Sequence, residues 1–150
     1  MMSCFSGFKA MTKTLFNTSE ETATRLTLCI PKFSRPASIE EIVALDLVAT
    51  YMHAFGFGDS NLHGDTPFAK SEYEARRSRV RQGVNRLVVQ GLATTRDGGI
   101  TFAATSECEV YARRLEGEYV RAYLEAIDSL LTVDRAVLID RATGAGGRYV

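Results

Sequence analysis

The chain has 150 residues, 45% of them hydrophobic and 24% charged, the make-up of one globular domain with its own core. Eighteen basic and eighteen acidic residues cancel to a formal net charge of zero, so the chain lacks the basic excess of a free-standing DNA-binding protein. Three scattered cysteines (Cys4, Cys29, Cys108) without CxxC spacing argue against a disulfide framework or a zinc site. There is no secretory h-region and no apolar run near the roughly 18 residues of a membrane span, so a cytoplasmic protein without membrane contact is expected.

Residues 1–14 are weakly patterned and read as a loose N-terminal arm. Thr18 with Glu21 forms a capping box, in which hydroxyl and carboxylate each satisfy an orphan backbone donor. It opens a first helix from Ser19 to Ile30, and makes the Asn17-Thr18-Ser19 sequon a matter of helix capping rather than glycosylation. Pro31 and Pro36 bracket a linker, because neither a helix nor a central strand tolerates proline well. Ser38 with Glu41 caps a second helix that is expected to run to Phe55 and stop at Gly56. Its apolar residues cover more than one stripe, so it should be the most buried helix. Asp46, a lone acid among aliphatics, must sit at an edge or be paired. Residues 56–68 (GFGDSNLHGDTPF) form a long loop, a length that is often functional in compact domains.

A third helix is expected from Ser71, capped by Glu74, with Tyr73, Val80, Val84, Leu87 and Val88 on one face. Gly83 costs this helix about 1 kcal/mol against alanine and points to close packing with another helix. After Gly91 a hairpin follows, Leu92–Arg96 and Ile100–Ala104 around Asp97-Gly98-Gly99. Ser106 with Glu109 opens a fourth helix expected to reach Leu131, roughly 25 residues and about 37 Å. Such a helix would overhang the domain and seek a partner. Residues 132–150 form a C-terminal tail with room for one short helix around Val137. The expected fold is mainly α with a small β-hairpin: a winged helix-turn-helix over residues 15–131 with a long C-terminal helix.

No phosphate loop, dinucleotide fingerprint, HExxH or nucleophile elbow is present. Two histidines, His53 and His63, are too few for a multi-histidine metal site. No catalytic residue, cofactor or metal is expected. His63 near Asp65 fits either a His–Asp pair or a loop bonded to itself. The arginines are the sharper signal, since segment 70–86 carries a net charge of +4. At about 100° per residue, Arg76 and Arg77 flank the apolar face, while Arg79 and Arg86 share an outer side. Arg76 and Arg77 then either make a structural ion pair with Asp46 or Asp65, or touch a partner directly. Arg79 and Arg86 are candidates to meet phosphates or an acidic partner. The fourth helix carries a net charge of −3, and its Tyr111, Tyr119 and Tyr123 are either core or interface anchors.

The ordered motifs resemble a known family. Phe16-Asn17-Thr18 precedes the first helix, Asp46 sits centrally in ALDLVATY, and Asn61 to Asp65 spell NLHGD. Arg76-Arg77 lies on a Ser-Glu-capped helix, and a leucine- and valine-rich stretch closes in Gly91-Leu92. In this order they resemble the middle component of ABC-three-component systems, the small subunit of Lamassu-type anti-phage defence. The resemblance spans residues 15–131 and leaves the first 14 residues and the glycine-rich tail unmatched. It implies a non-enzymatic winged-helix subunit that holds an SMC/Rad50-like ATPase and keeps an effector, often a nuclease, inactive until foreign DNA is sensed. DNA would be met only indirectly or within the complex. On the adaptor reading, Asn61, Leu62, His63, Arg79, Arg86, Tyr119 and Tyr123 are the candidate partner contacts. The competing reading is a winged-helix transcription regulator with the third helix in a major groove.

Overall fold

The computed structural model describes residues 18–144. The expected N-terminal arm, Phe16-Asn17 and the end of the glycine-rich tail lie outside them. The described chain runs α1 (Ser19–Cys29), β1 (Ala37–Ser38), α2 (Ile39–Thr50), α3 (Tyr73–Val89), β2 (Ala93–Arg96), β3 (Thr101–Ala104), α4 (Ser106–Arg114), α5 (Glu118–Leu130) and α6 (Arg135–Thr143). The protein is thus mainly helical, with one small antiparallel sheet in the order β1-β3-β2.

The hairpin lies where the sequence put it, with Thr95 opposite Phe102 and Ala93 opposite Ala104. Its turn takes positive φ at Asp97, Gly98 and Gly99 in succession, which is why two glycines follow the aspartate. The third strand, β1, pairs Ala37 with Phe102 and Ser38 with Thr101. Two residues are too few for any alternation to announce a strand.

Helix α2 is the hub. Ser38 accepts from the Glu41 backbone while the Glu41 carboxylate accepts from the Ser38 N–H, a complete capping box. Ten of its twelve residues are buried, because it separates two cores. On one side Ile42 and Val43 pack with Leu26, Val80, Val84, Leu87 and Phe102. On the other, Leu45, Val48 and Ala49 pack with Val120, Tyr123, Ile127, Leu130 and Leu138. Helix α1 is almost as enclosed, although its sequence is rich in threonine. Thr24 and Thr27 donate to the Glu20 and Ala23 carbonyls one turn back, which makes their hydroxyls tolerable inside. Gly83 of α3 faces Leu26 and Thr22 of α1, the close helix contact its position announced.

Four expected boundaries are corrected. The second helix ends at Thr50, not Phe55, because the following loop takes its next hydrogen bond apart. Thr50 O accepts from His63 N at 3.0 Å, and Ala54 N donates to Asn61 Oδ1 at 3.0 Å. The third helix begins at Tyr73, without a Ser71–Glu74 box. Ser71 sits in a 3-10 turn, and its hydroxyl donates to Phe68 O. Thr105, not Ser106, caps α4: its hydroxyl accepts from Cys108 N and donates to Gly91 O, which ties the helix start to the end of α3. The long C-terminal helix is two helices. The chain is extended at Leu115, and Gly117 takes φ +121°, so α4 packs on α1 and α5 on α2 with no overhang. The tail's short helix, α6, is packed rather than appended, with Leu138 and Ala142 in the core.

Candidate functional site

Asp46 lies at the centre of α2 with no exposed surface, and two fully buried arginines flank it. From α1, Arg25 Nε donates to Asp46 Oδ1 at 2.9 Å and its NH2 group to Oδ2 at 3.3 Å. From α3, the Arg76 NH1 group donates to Asp46 Oδ2 at 2.9 Å and to Thr50 Oγ1 at 3.0 Å. From α5, the Tyr123 hydroxyl donates to Asp46 Oδ1 at 2.7 Å. One carboxylate therefore joins four helices.

Burial works against the Asp46 charge, yet the Arg25 and Arg76 guanidiniums beside it hold its carboxyl well below the usual range. Burial likewise works against the Arg25 charge, and the Asp46 carboxylate outweighs it, so the guanidinium stays firmly protonated. The network reaches the surface through Glu72, whose Oε2 accepts from Arg76 at 2.6 Å and 3.1 Å and from Arg79 at 3.4 Å. Three cations thus serve two carboxylates.

Above this network lies the Asn61–Asp65 loop. His63 Nε2 and the Tyr119 hydroxyl share a 2.6 Å hydrogen bond. The His63 ring stacks on Tyr119, and Tyr119 stacks on Tyr123. Tyr51 meets His63 edge-on, while the Arg76 guanidinium lies 5.8 Å from the Tyr51 ring centre. Burial pushes His63 down to about 2, with repulsion from Arg25 and Arg76 adding to it, so the ring is neutral at physiological pH. Asn61 donates to Asp65 Oδ1 at 3.0 Å, Leu62 packs against the α2–α5 core, and Gly64 and Asp65 remain exposed.

Among the expected ion-pair residues, Asp46 and Arg76 are brought together. Arg77 is not with them: its NH2 group donates to Glu40 at 2.9 Å on a half-exposed edge. Nor is Asp65, which accepts from Asn61 within its own loop. Tyr119 and Tyr123, expected at a partner surface, are buried because their hydroxyls complete the network. Arg86 is half-buried in a narrow crevice with Glu20, Thr24 and Gln90. Sequence reasoning missed Arg25. Its i, i+4 spacing from Glu21 looks like a surface pair, and only the need of Asp46 for partners hinted at it.

These groups are poised to hold a shape. Burial pushes the Tyr119 hydroxyl up to about 12 and the Cys108 thiol likewise to about 12, so neither is an activated nucleophile. Among the described residues no cluster of His, Cys, Asp and Glu is arranged to hold a metal ion. No described helix is long and apolar enough to cross a membrane.

The family model described as ABC-three component (ABC-3C) system Middle Component 2 matches residues 15–135. Neither the curated proteins nor the solved structures searched give a match. The matched span runs from the approach to α1 to the first residue of α6 and takes in the whole Arg25–Asp46–Arg76 network. The chain belongs to the Middle Component 2 family of ABC-three component systems.

Proposed function

We propose that this chain is the non-enzymatic adaptor of an anti-phage defence complex of the Lamassu type. In it the chain binds an SMC/Rad50-like ATPase and restrains or positions an effector nuclease in the cytoplasm. The observation that carries this reading is that three of the five α3 arginines are engaged within the chain. Arg76 is buried on Asp46 and Glu72, Arg77 sits on Glu40, and Arg79 sits on Glu72. A helix that reads DNA needs such side chains directed at phosphates and base edges. Here Arg76, Arg77 and Arg79 bind the chain's own carboxylates.

We read the fold as a winged helix-turn-helix. The helix–strand–helix–helix–strand–strand order from α1 to β3, with β1 closing the sheet beside the hairpin, supports that reading. The loop is the favoured contact, because its backbone is already tied to α2 and little freedom is lost on binding. Arg79 and Arg86 of α3 are further candidate contacts away from the loop, Arg79 on Glu72 and Arg86 beside α1, and DNA is met only indirectly, within the assembly. The test pairs two measurements. The chain is co-expressed with the neighbouring ATPase gene, and the isolated protein is titrated with its own promoter DNA. Co-purification at moderate salt without a sequence-specific shift is expected. A salt-steep, sequence-specific shift by the isolated chain would favour a transcription regulator instead.

A further inference from the structure

The Pro31–Pro36 linker does more than connect two helices. After the 3-10 turn Ile30–Lys32 it lays Phe33 against α6, where the Arg135 guanidinium stacks 4.7 Å from the ring centre. Between linker, α2, α5 and α6 lies a cavity of about 320 Å³. Its apolar lining includes Phe33, Leu45, Leu130, Leu131, Val133 and Leu138. That is at the small end of ligand-binding pockets, roughly 300–1,000 Å³, and suits an anchoring side chain better than a cofactor.

Charge around the cavity is arranged by depth. Glu41 is the inner member, only 11% exposed and already engaged three ways. It accepts from the Ser38 N–H, from Arg35 at 3.2 Å and from Arg135 at 3.0 Å. Its carboxyl is held low: burial works to raise it, and the capping bond and Arg135 outweigh that. The outer members are Arg35, Lys32 and Arg135, with Lys32 bridged at 3.1 Å to the exposed Asp128. Lys32 and Arg135 therefore line an apolar hole, Arg35 joins them through the lining Glu41, and three cations meet two carboxylates, Glu41 and Asp128, that are already paired.

We propose that this cavity is a docking site for an acidic amphipathic helix of a partner protein, which inserts an apolar side chain and sets a carboxylate against Lys32, Arg35 and Arg135. The charge surplus selects the acid, and the leucine floor takes the anchor. The two prolines and the Phe33–Arg135 stack hold the site ready before binding, which limits the entropy lost on docking. The site is separate from the Asn61–Asp65 loop, but it rests on the reading that this chain is an adaptor.

The test uses the full-length chain co-expressed with the ATPase component or the effector component of its own system. Leu131→Glu puts a carboxylate at the mouth, where it competes for the cations, and Lys32→Glu removes one of them. Each is expected to weaken capture of one component by about tenfold or more, with the folded signal and melting temperature kept. Leu131→Met should bind normally, and raising salt should weaken the wild type more than Lys32→Glu. Wild-type capture that survives both charge variants overturns the cavity proposal while leaving the adaptor reading intact. Failure of the wild type to capture either component overturns both.

Discussion

Asp46 has one negative charge and two fully buried guanidiniums bound to it. Removing it strands both cations in the core, so Asp46→Ala should cost about 3–5 kcal/mol in chemical denaturation. A loss below about 1 kcal/mol would mean that water reaches the arginines. Such pairs order structure more than they stabilise it, and here the order concerns how four helices meet. His63 gives a pH signature of the same network. Its folded value, about 2, lies far below the ordinary histidine value of about 6.5. The unfolded chain therefore binds the extra proton first, and stability falls as pH drops below about 6.5. Between pH 7 and pH 5 the loss should be about 2 kcal/mol, and it should be missing from the slope of His63→Gln. At this scale the sequence showed that Asp46 must sit at an edge or be paired and that Arg76 and Arg77 stood close to the core. It concealed Arg25, because a buried arginine and a surface arginine share the same helical spacing. Arg77, one residue from Arg76, turns to Glu40 instead, a choice that about 100° of helical rotation makes and composition does not.

Local chemistry made some helix boundaries legible and misplaced the caps at Ser71 and Ser106, while distant residues decide other boundaries altogether. The capping box at Ser38 and the glycine turn of the hairpin are local, and both are found as expected. The end of α2 is not local. Asn61 and His63 take the hydrogen bonds that would have continued the helix past Thr50, and no feature of residues 50–55 foretells that. The break at Leu115–Gly117 is similar: each half has its own packing partner, and Gly117 adopts a backbone conformation that other residues avoid. Gly83 allows a direct test of element packing. A methyl group there would lie 2.8 Å from Leu26 Cδ1 and 3.4 Å from Thr22 Cγ2. Overpacking of roughly 1–3 kcal/mol should outweigh the gain of about 1 kcal/mol in helix propensity. Gly83→Ala is therefore expected to lower the melting temperature. The exposed Asn85→Ala on the same helix should raise it slightly, and a rise for both would mean that α1 and α3 are less closely packed.

For the whole molecule, neutrality and the absence of a catalytic motif directed attention to partners, and family membership supplies the system to which those partners belong. What composition concealed was where the charge goes. Three of the five α3 arginines turn inward or onto neighbouring carboxylates, while Lys32 and Arg135, far apart in sequence, meet at the linker cavity. Two ordered surfaces result, the Asn61–Asp65 loop and the linker cavity, on a frame held by one buried carboxylate. The most direct measurement is the mass in solution of what is recovered when the chain is co-expressed with the other components of its ABC-three component system. A stable heteromeric species at moderate salt is expected. Recovery of the chain alone, with sequence-specific binding of the isolated protein to its own promoter DNA, would contradict the adaptor account.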